Sequence, residues 1–186
     1  MELSEALAKI ASLEDEVQSL KKRLYFLEYN ATIAAGMQGE QLVAAAVDGV
    51  MTCFTAGADV SIARNGMLLE VKFSNLNVAV KNRENPTKRW TWPRPLGSSG
   101  KKIFDRLILV GQADERHVEH YADSEPYVFF DVPFDEVHSL SRMSGTHRNI
   151  QITTNPRKAK TDVAVRLYNE FMLPYTELCE KYGLGD

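Results

Sequence analysis

The sequence predicts an α/β domain, a mixed β-sheet flanked by helices, behind an N-terminal coiled-coil helix. Three observations predict it: a heptad repeat over residues 3–27, a period-two β-meander around Asn65-Gly66, and later apolar strand-like runs alternating with helical spacing. The chain has 186 residues, 44% of them hydrophobic and 25% charged, with a formal net charge of −3. That composition buries a core and excludes wholesale disorder, and the length suits one domain with an appendage. No apolar run reaches the ~18–20 residues that span a bilayer. The acidic opening Met1-Glu2-Leu3-Ser4-Glu5 lacks the basic start of a secretory signal, so a cytoplasmic protein without a membrane partner is expected. Cys53 and Cys179 show neither zinc spacing nor a disulfide framework.

The first element is the heptad helix. Leu3, Ile10, Val17 and Leu24 fall at a, and Ala6, Leu13, Leu20 and Leu27 at d. β-branched residues at a with Leu at d favour a parallel two-stranded coil. The e/g pairs across such a dimer are Lys9 with Glu14, Glu16 with Lys21, and Arg23 with Glu28, all complementary. Residues 1–30 are therefore expected to form a homodimerisation helix, with a higher oligomer left open, and residues 31–186 the remaining domain.

Gly36 and Gly39 interrupt the helical pattern, which predicts a helix over about 37–47, ended by Gly49. Val50 to Thr55, Asp59 to Arg64 and Met67 to Phe73 read as three antiparallel strands, the last two joined at Asn65-Gly66. A two-residue turn there pairs Arg64 with Met67, Ser61 with Glu70 and Asp59 with Lys72. Asp59, Ser61, Glu70 and Lys72 then share one face, and Val60, Ile62, Leu69, Val71 and Phe73 the packed one. The pattern lapses until Ile103 to Gly111, a buried strand, followed by a strand over Pro126 to Val132 and a short helix or turn to Leu140. Residues 144–160 read as polar loop, and Thr161 to Tyr182 as a closing helix kinked at Pro174.

The chemistry sits on the hairpin. Asp59 and Glu70 are expected as diagonal neighbours, roughly 7–8 Å apart along the backbone, able to lean on one metal ion. Magnesium takes one or two carboxylates and keeps several waters, and a lysine beside it can orient a water and offset developing charge. Asp59, Glu70 and Lys72 supply these groups, with the main-chain carbonyl of Val71 between the last two.

Asp59, ten intervening residues, then Glu70-Val71-Lys72 resembles the PD-(D/E)xK nuclease superfamily. Restriction endonucleases, a mismatch-repair nicking enzyme and Holliday-junction resolvases belong to it. The resemblance covers residues 36–132 and implies a restriction-endonuclease-like core. It departs at the proline, since Ala58 precedes Asp59. Glu40 stands where the family often carries a metal-binding glutamate on the first helix. The resemblance implies Mg²⁺, with Mn²⁺ as substitute, held by Asp59, Glu70, Val71 and Glu40, and a catalytic set of Asp59, Glu70, Lys72 and Glu40.

The net charge conceals a contrast. Residues 81–106 hold eight basic residues against two acidic ones, a net of +6, which leaves −9 on the other 160 residues. Lys81, Arg83, Lys88, Arg89, Arg94, Lys101 and Lys102 are candidate phosphate or base contacts, and Trp90 and Trp92 candidate stacking groups, on double-stranded DNA. His147, Arg148, Arg157, Lys158 and Lys160 form a second candidate contact loop. His117 and His120 read as part of a polar loop or surface helix. The expected function is a metal-dependent DNA endonuclease, dimeric and site-specific, of type II restriction or phage and mobile-element kind. The alternatives are a structure-specific resolvase or repair nuclease, and an inactive nuclease-fold DNA-binding protein.

Overall fold

The structure, a computed structural model, describes residues 9–10, 12–18, 21, 30–53, 57–78, 86–123 and 126–183. The chain divides into two compact units, Met1–Ala35 and Gly36–Asp186. The described residues between 9 and 21 are helical, and Ile10, Leu13 and Val17 are about half exposed. The other heptad positions and the Arg23–Glu28 pair lie outside the described residues. None of the described helices is long and apolar enough to cross a membrane.

Helix α1 spans Ala31–Ala46 and runs through Gly36 and Gly39 without the expected break. Gly39 serves packing: a Cβ there would come within 2.9 Å of the Phe73 Cβ. The helix approaches the sheet closely because that position carries no side chain. Strands β1 (Val50–Met51), β2 (Val60–Ile62) and β3 (Met67–Ser74) follow as the expected antiparallel meander. Then come β4 (Asn77–Val78), β5 (Lys88–Pro93), β6 (Arg106–Gln112), β7 (Tyr127–Pro133) and helix α2 (Phe134–Leu140). Strands β8 (Arg142–Ser144) and β9 (His147–Thr153), helix α3 (Asp162–Arg166), strand β10 (Met172–Leu173) and helix α4 (Tyr175–Tyr182) complete the domain.

A six-stranded mixed sheet has the order β1-β2-β3-β6-β7-β10, with β3 and β6 parallel and the other neighbours antiparallel. One face buries Leu69, Val71, Ile108, Val110 and Phe129 under Val43 of α1, Val47 of the turn that follows it, and Leu178 and Tyr182 of α4. The other face buries Leu107, Leu109, Phe130 and Val132. Its cover is a second, antiparallel sheet of order β4-β5-β9-β8, which the sequence did not predict. Trp90 and Trp92 of β5 stand directly opposite Ile152 and Ile150 of β9, and all four are buried. Within residues 144–160, His147–Thr153 form β9, where a polar loop was expected.

The closing helix is also corrected. It breaks after α3 into a π-helical turn, Leu167–Phe171, and then the short β10 before Pro174. Proline has no N–H to donate and forces its predecessor into extended backbone, so Leu173 joins the sheet edge against Phe129.

Candidate active site

The β2–β3 turn differs from the expected one and sets the site. Val60 pairs with Leu69, Ser61 with Leu68 and Ile62 with Met67, two residues away from the predicted register. The loop has four residues: the Ile62 carbonyl accepts the Gly66 N–H at 2.9 Å, and Asn65 Oδ1 accepts the Met67 N–H at 3.0 Å. Gly66 has φ of +70°, which glycine adopts without strain. A slip of two leaves every side chain on its predicted face, because strand side chains repeat with period two. It changes the pairing, however: continued by one residue, the register brings Asp59 level with Glu70 instead of diagonal to it.

Asp59 is fixed at the mouth of β2 by three hydrogen bonds. Its N–H donates to the Leu69 carbonyl at 2.9 Å, and its carbonyl accepts the Thr52 N–H at 3.0 Å. Its carboxylate Oδ2 accepts the Val71 N–H at 2.9 Å. Glu70, from the middle of β3, is fully buried. A buried carboxylate needs counter-charge, and two lysines provide it. Lys72 Nζ contacts Glu70 Oε1, lies 3.7 Å from Asp59 Oδ2, and donates to the Val71 carbonyl at 3.2 Å. Lys102 Nζ contacts Glu70 Oε2 and donates to Asp59 Oδ1 at 2.9 Å.

The two carboxyl groups feel different balances. For Asp59, burial opposes ionisation, but Lys72, the Val71 N–H and Lys102 outweigh it and hold the group below the ordinary carboxylate range. For Glu70, burial dominates and, with the Asp59 charge, raises the group against the pull of the lysines. Lys102 is raised: its bonds to Glu70 and Asp59 overcome the burial that disfavours its charge. Glu40, half-buried on α1, is raised by burial first and then by Asp59 and Glu70, with Lys72 and Lys102 opposing. All five groups therefore share one electrostatic field.

The predicted hairpin set of Asp59, Glu70, Val71 and Lys72 is brought together, and Glu40 is coupled to it. Among the described residues no three His, Cys, Asp or Glu side chains gather closely enough to hold a metal ion. Asp59 and Glu70 still converge on single cations, as the two shared ammonium groups show. Two carboxylates and the Val71 carbonyl form a hard oxygen donor set of the kind magnesium accepts with water completing its shell. The donor set fits a divalent cation without Glu40 as a direct ligand.

The basic stretch divides on folding. Lys102, expected as a DNA contact, enters the carboxylate cluster. Sequence spacing gave no sign of this, because it depends on the β3–β6 pairing that brings residues 101–106 beside the hairpin: the Asp105 N–H donates to the Leu68 carbonyl at 2.8 Å. Lys88 lies 3.6 Å from the buried Asp114, and Arg106 Nε lies 2.7 Å from the buried Asp131. Arg94 has φ of +52° and places its guanidinium 2.7 Å from His147 Nε2. Among the described residues Arg89, Arg94 and Lys101 make no ion pair with a carboxylate, so their charge remains available. Lys81 and Arg83 lie outside the described residues.

Trp90 and Trp92 correct the expectation of base stacking. Both are fully buried, and their indole N–H groups donate to the carbonyls of Gln112 at 2.8 Å and Val110 at 2.9 Å. Their rings pack with Tyr121, Phe130 and Tyr168. They join the small sheet to the large one.

No protein-family model and no curated protein matches the chain, so the functional reading rests on this geometry.

Proposed function

We propose that the protein is a metal-dependent DNA endonuclease of the PD-(D/E)xK kind, with Asp59, Glu70 and the Val71 carbonyl as its cation-binding groups. The observation that carries the reading is the convergence of Asp59 and Glu70 on shared cations, with Lys72 against both. A bound Mg²⁺ or Mn²⁺ supplies Lewis acidity and an acidified water for phosphodiester hydrolysis.

The chain's own residues do the rest. The Val71 N–H and the lysines keep Asp59 ionised and aimed. Glu70 is held rigidly in mid-strand, with no solvent competing for its oxygens. Lys72, about a quarter exposed, presents a fixed positive charge at the rim of the pair. There it can orient a water and offset charge building on a phosphate. Glu40 adds negative charge that favours a divalent cation. Arg89, Arg94 and Lys101 leave positive charge for the DNA backbone, whose neutralisation makes binding salt-dependent.

The reading includes a homodimer inside the cell. Ile10, Leu13 and Val17 repeat at spacings of three and four on the described N-terminal helical residues, with their side chains about half exposed. Two copies joined there supply two sites, one for each strand of a duplex. Site-specific cleavage is favoured, with a resolvase as the close alternative. The test is incubation with supercoiled, linear and four-way-junction DNA in Mg²⁺ or Mn²⁺, with and without chelator. Metal-dependent cleavage of any of them supports the reading; intact DNA throughout overturns it.

A further inference from the structure

The four carboxylate oxygens of Asp59 and Glu70 are divided between two lysines. Lys72 lies against Asp59 Oδ2 and Glu70 Oε1. Lys102 lies against Asp59 Oδ1 and Glu70 Oε2. The pair is thus neutralised by ammonium groups alone. The two lysines are held very differently. Lys72 belongs to β3, two residues from Glu70 on the same strand face, and also donates to the Val71 carbonyl at 3.2 Å.

Lys102 belongs to no strand or helix. It lies in the loop that joins Pro93 of β5 to Arg106 of β6 and begins at Arg94, whose N–H donates to the Arg148 carbonyl at 2.8 Å. Arg94, Gly97 and Gly100 have φ of +52°, +74° and +68°. The loop bonds largely to itself: Gly97 N–H to the Arg94 carbonyl at 2.9 Å, Gly100 N–H to Gly97 at 3.3 Å, and Lys102 N–H to Leu96 at 3.1 Å. Pro95 is buried and Leu96 packs on the core, whereas Ser98 to Lys101 are exposed; the Lys72 backbone is fixed inside β3.

We infer that Lys102 is an internal counter-cation that competes with the divalent metal for the Asp59–Glu70 pair. This rests on the cation-site reading above. In this arrangement the ammonium balances the carboxylates until a divalent cation takes the Asp59 Oδ1 and Glu70 Oε2 side. The Lys102 ammonium then withdraws, while Lys72 remains in place. Two positive charges cannot share those oxygens at contact distance without strong repulsion. Metal affinity is therefore set by the cost of displacing Lys102, which makes it a positioning residue acting through the carboxylates.

The experiment is Mn²⁺ binding to the full chain without DNA, followed by the loss of the free-ion paramagnetic resonance signal, for wild type and Lys102→Met. Methionine keeps an unbranched apolar stem and removes the charge. Lys102→Met is expected to bind Mn²⁺ about tenfold tighter or better. Its melting temperature is expected to rise more with Mn²⁺ than that of wild type, since a ligand bound only by the folded state stabilises it. If Lys102→Met does not melt cooperatively, Lys102→Gln carries the same expectation. Equal or weaker binding by a folded variant, with wild type binding Mn²⁺, overturns the inference and leaves the cation-site reading standing. Absence of Mn²⁺ binding in wild type and variants alike overturns both.

Discussion

The Asp59 carboxylate accepts the main-chain N–H of Val71 at 2.9 Å, so a side chain at the mouth of β2 completes the hydrogen bonding of β3. This one bond holds a candidate cation-binding carboxylate beside the Glu70-Val71-Lys72 segment. It also separates the structural role of Asp59 from its chemical one. Asn at position 59 keeps an oxygen for the Val71 N–H and loses the charge; Ala loses both. Asp59→Ala is expected to be less stable than Asp59→Asn by about 1–3 kcal/mol, the cost of a stranded buried donor. Both are expected to lose cleavage. Urea unfolding of the two variants checks the first expectation and a plasmid assay the second.

Trp90 is a core residue. Trp90→Ala is expected to destabilise the domain by about 3–5 kcal/mol. Trp90→Phe keeps most of the packing but loses the part-buried bond to the Gln112 carbonyl, at a cost of about 0.5–1.5 kcal/mol. Neither change is expected to alter DNA affinity at temperatures where the variant is folded. Melting curves and DNA titrations read the two properties separately, and a folded Trp90→Phe protein with impaired DNA binding would contradict the core assignment.

A second buried acid gives the fold a pH dependence away from the candidate site. Asp131, on the opposite sheet face, accepts bonds from Arg106 Nε at 2.7 Å, Lys181 Nζ at 2.6 Å and the Tyr182 hydroxyl at 2.7 Å. Burial opposes its ionisation, but these donors win and hold it below the ordinary range. A carboxylate lowered in the folded state contributes stability above its unfolded value of about 3.9 and loses it as pH falls through the lower folded value. Asp131→Asn is expected to cost about 1–3 kcal/mol at neutral pH, because Arg106 loses its counter-charge while the half-exposed Lys181 turns to water. The gap between wild type and variant is expected to shrink below about pH 4. Urea unfolding at a series of pH values measures that gap.

Arg94 has its guanidinium beside His147 and no carboxylate partner among the described residues. Arg94→Ala is expected to weaken duplex binding across sequences and to reduce the slope of log affinity against log salt by about one. Fluorescence anisotropy at several salt concentrations reads that slope, and an unchanged slope would place Arg94 outside the DNA path.

The candidate site was legible in the sequence where period-two alternation decides the outcome. Alternation puts Asp59, Glu70 and Lys72 on one face, and an even slip in the turn cannot move them off it. Their pairing was not legible, because Asn65-Gly66 signals a tight turn without specifying two residues or four. The second sheet escaped because β4 and β8 are short and β9 offers only Ile150 and Ile152 as apolar markers. Trp90-Thr91-Trp92 and Ile150-Gln151-Ile152 do alternate, and read together they describe the buried ladder that forms. Lys102 was hidden for a different reason. A lysine in a Gly-Ser loop reads as a solvated charge, and only the parallel β3–β6 pairing carries it to the carboxylates.

If the Asp59–Glu70–Lys72 cluster cuts DNA, as proposed, removing the Glu70 charge slows cleavage. The most direct measurement is the rate of plasmid cleavage in Mg²⁺ by wild type and by Glu70→Gln, an uncharged near-isostere, with circular dichroism confirming that both are folded. Wild type is expected to cut, and Glu70→Gln to be slower by about a hundredfold or more. Cleavage by folded Glu70→Gln at the wild-type rate would show that this cluster is not the cutting site.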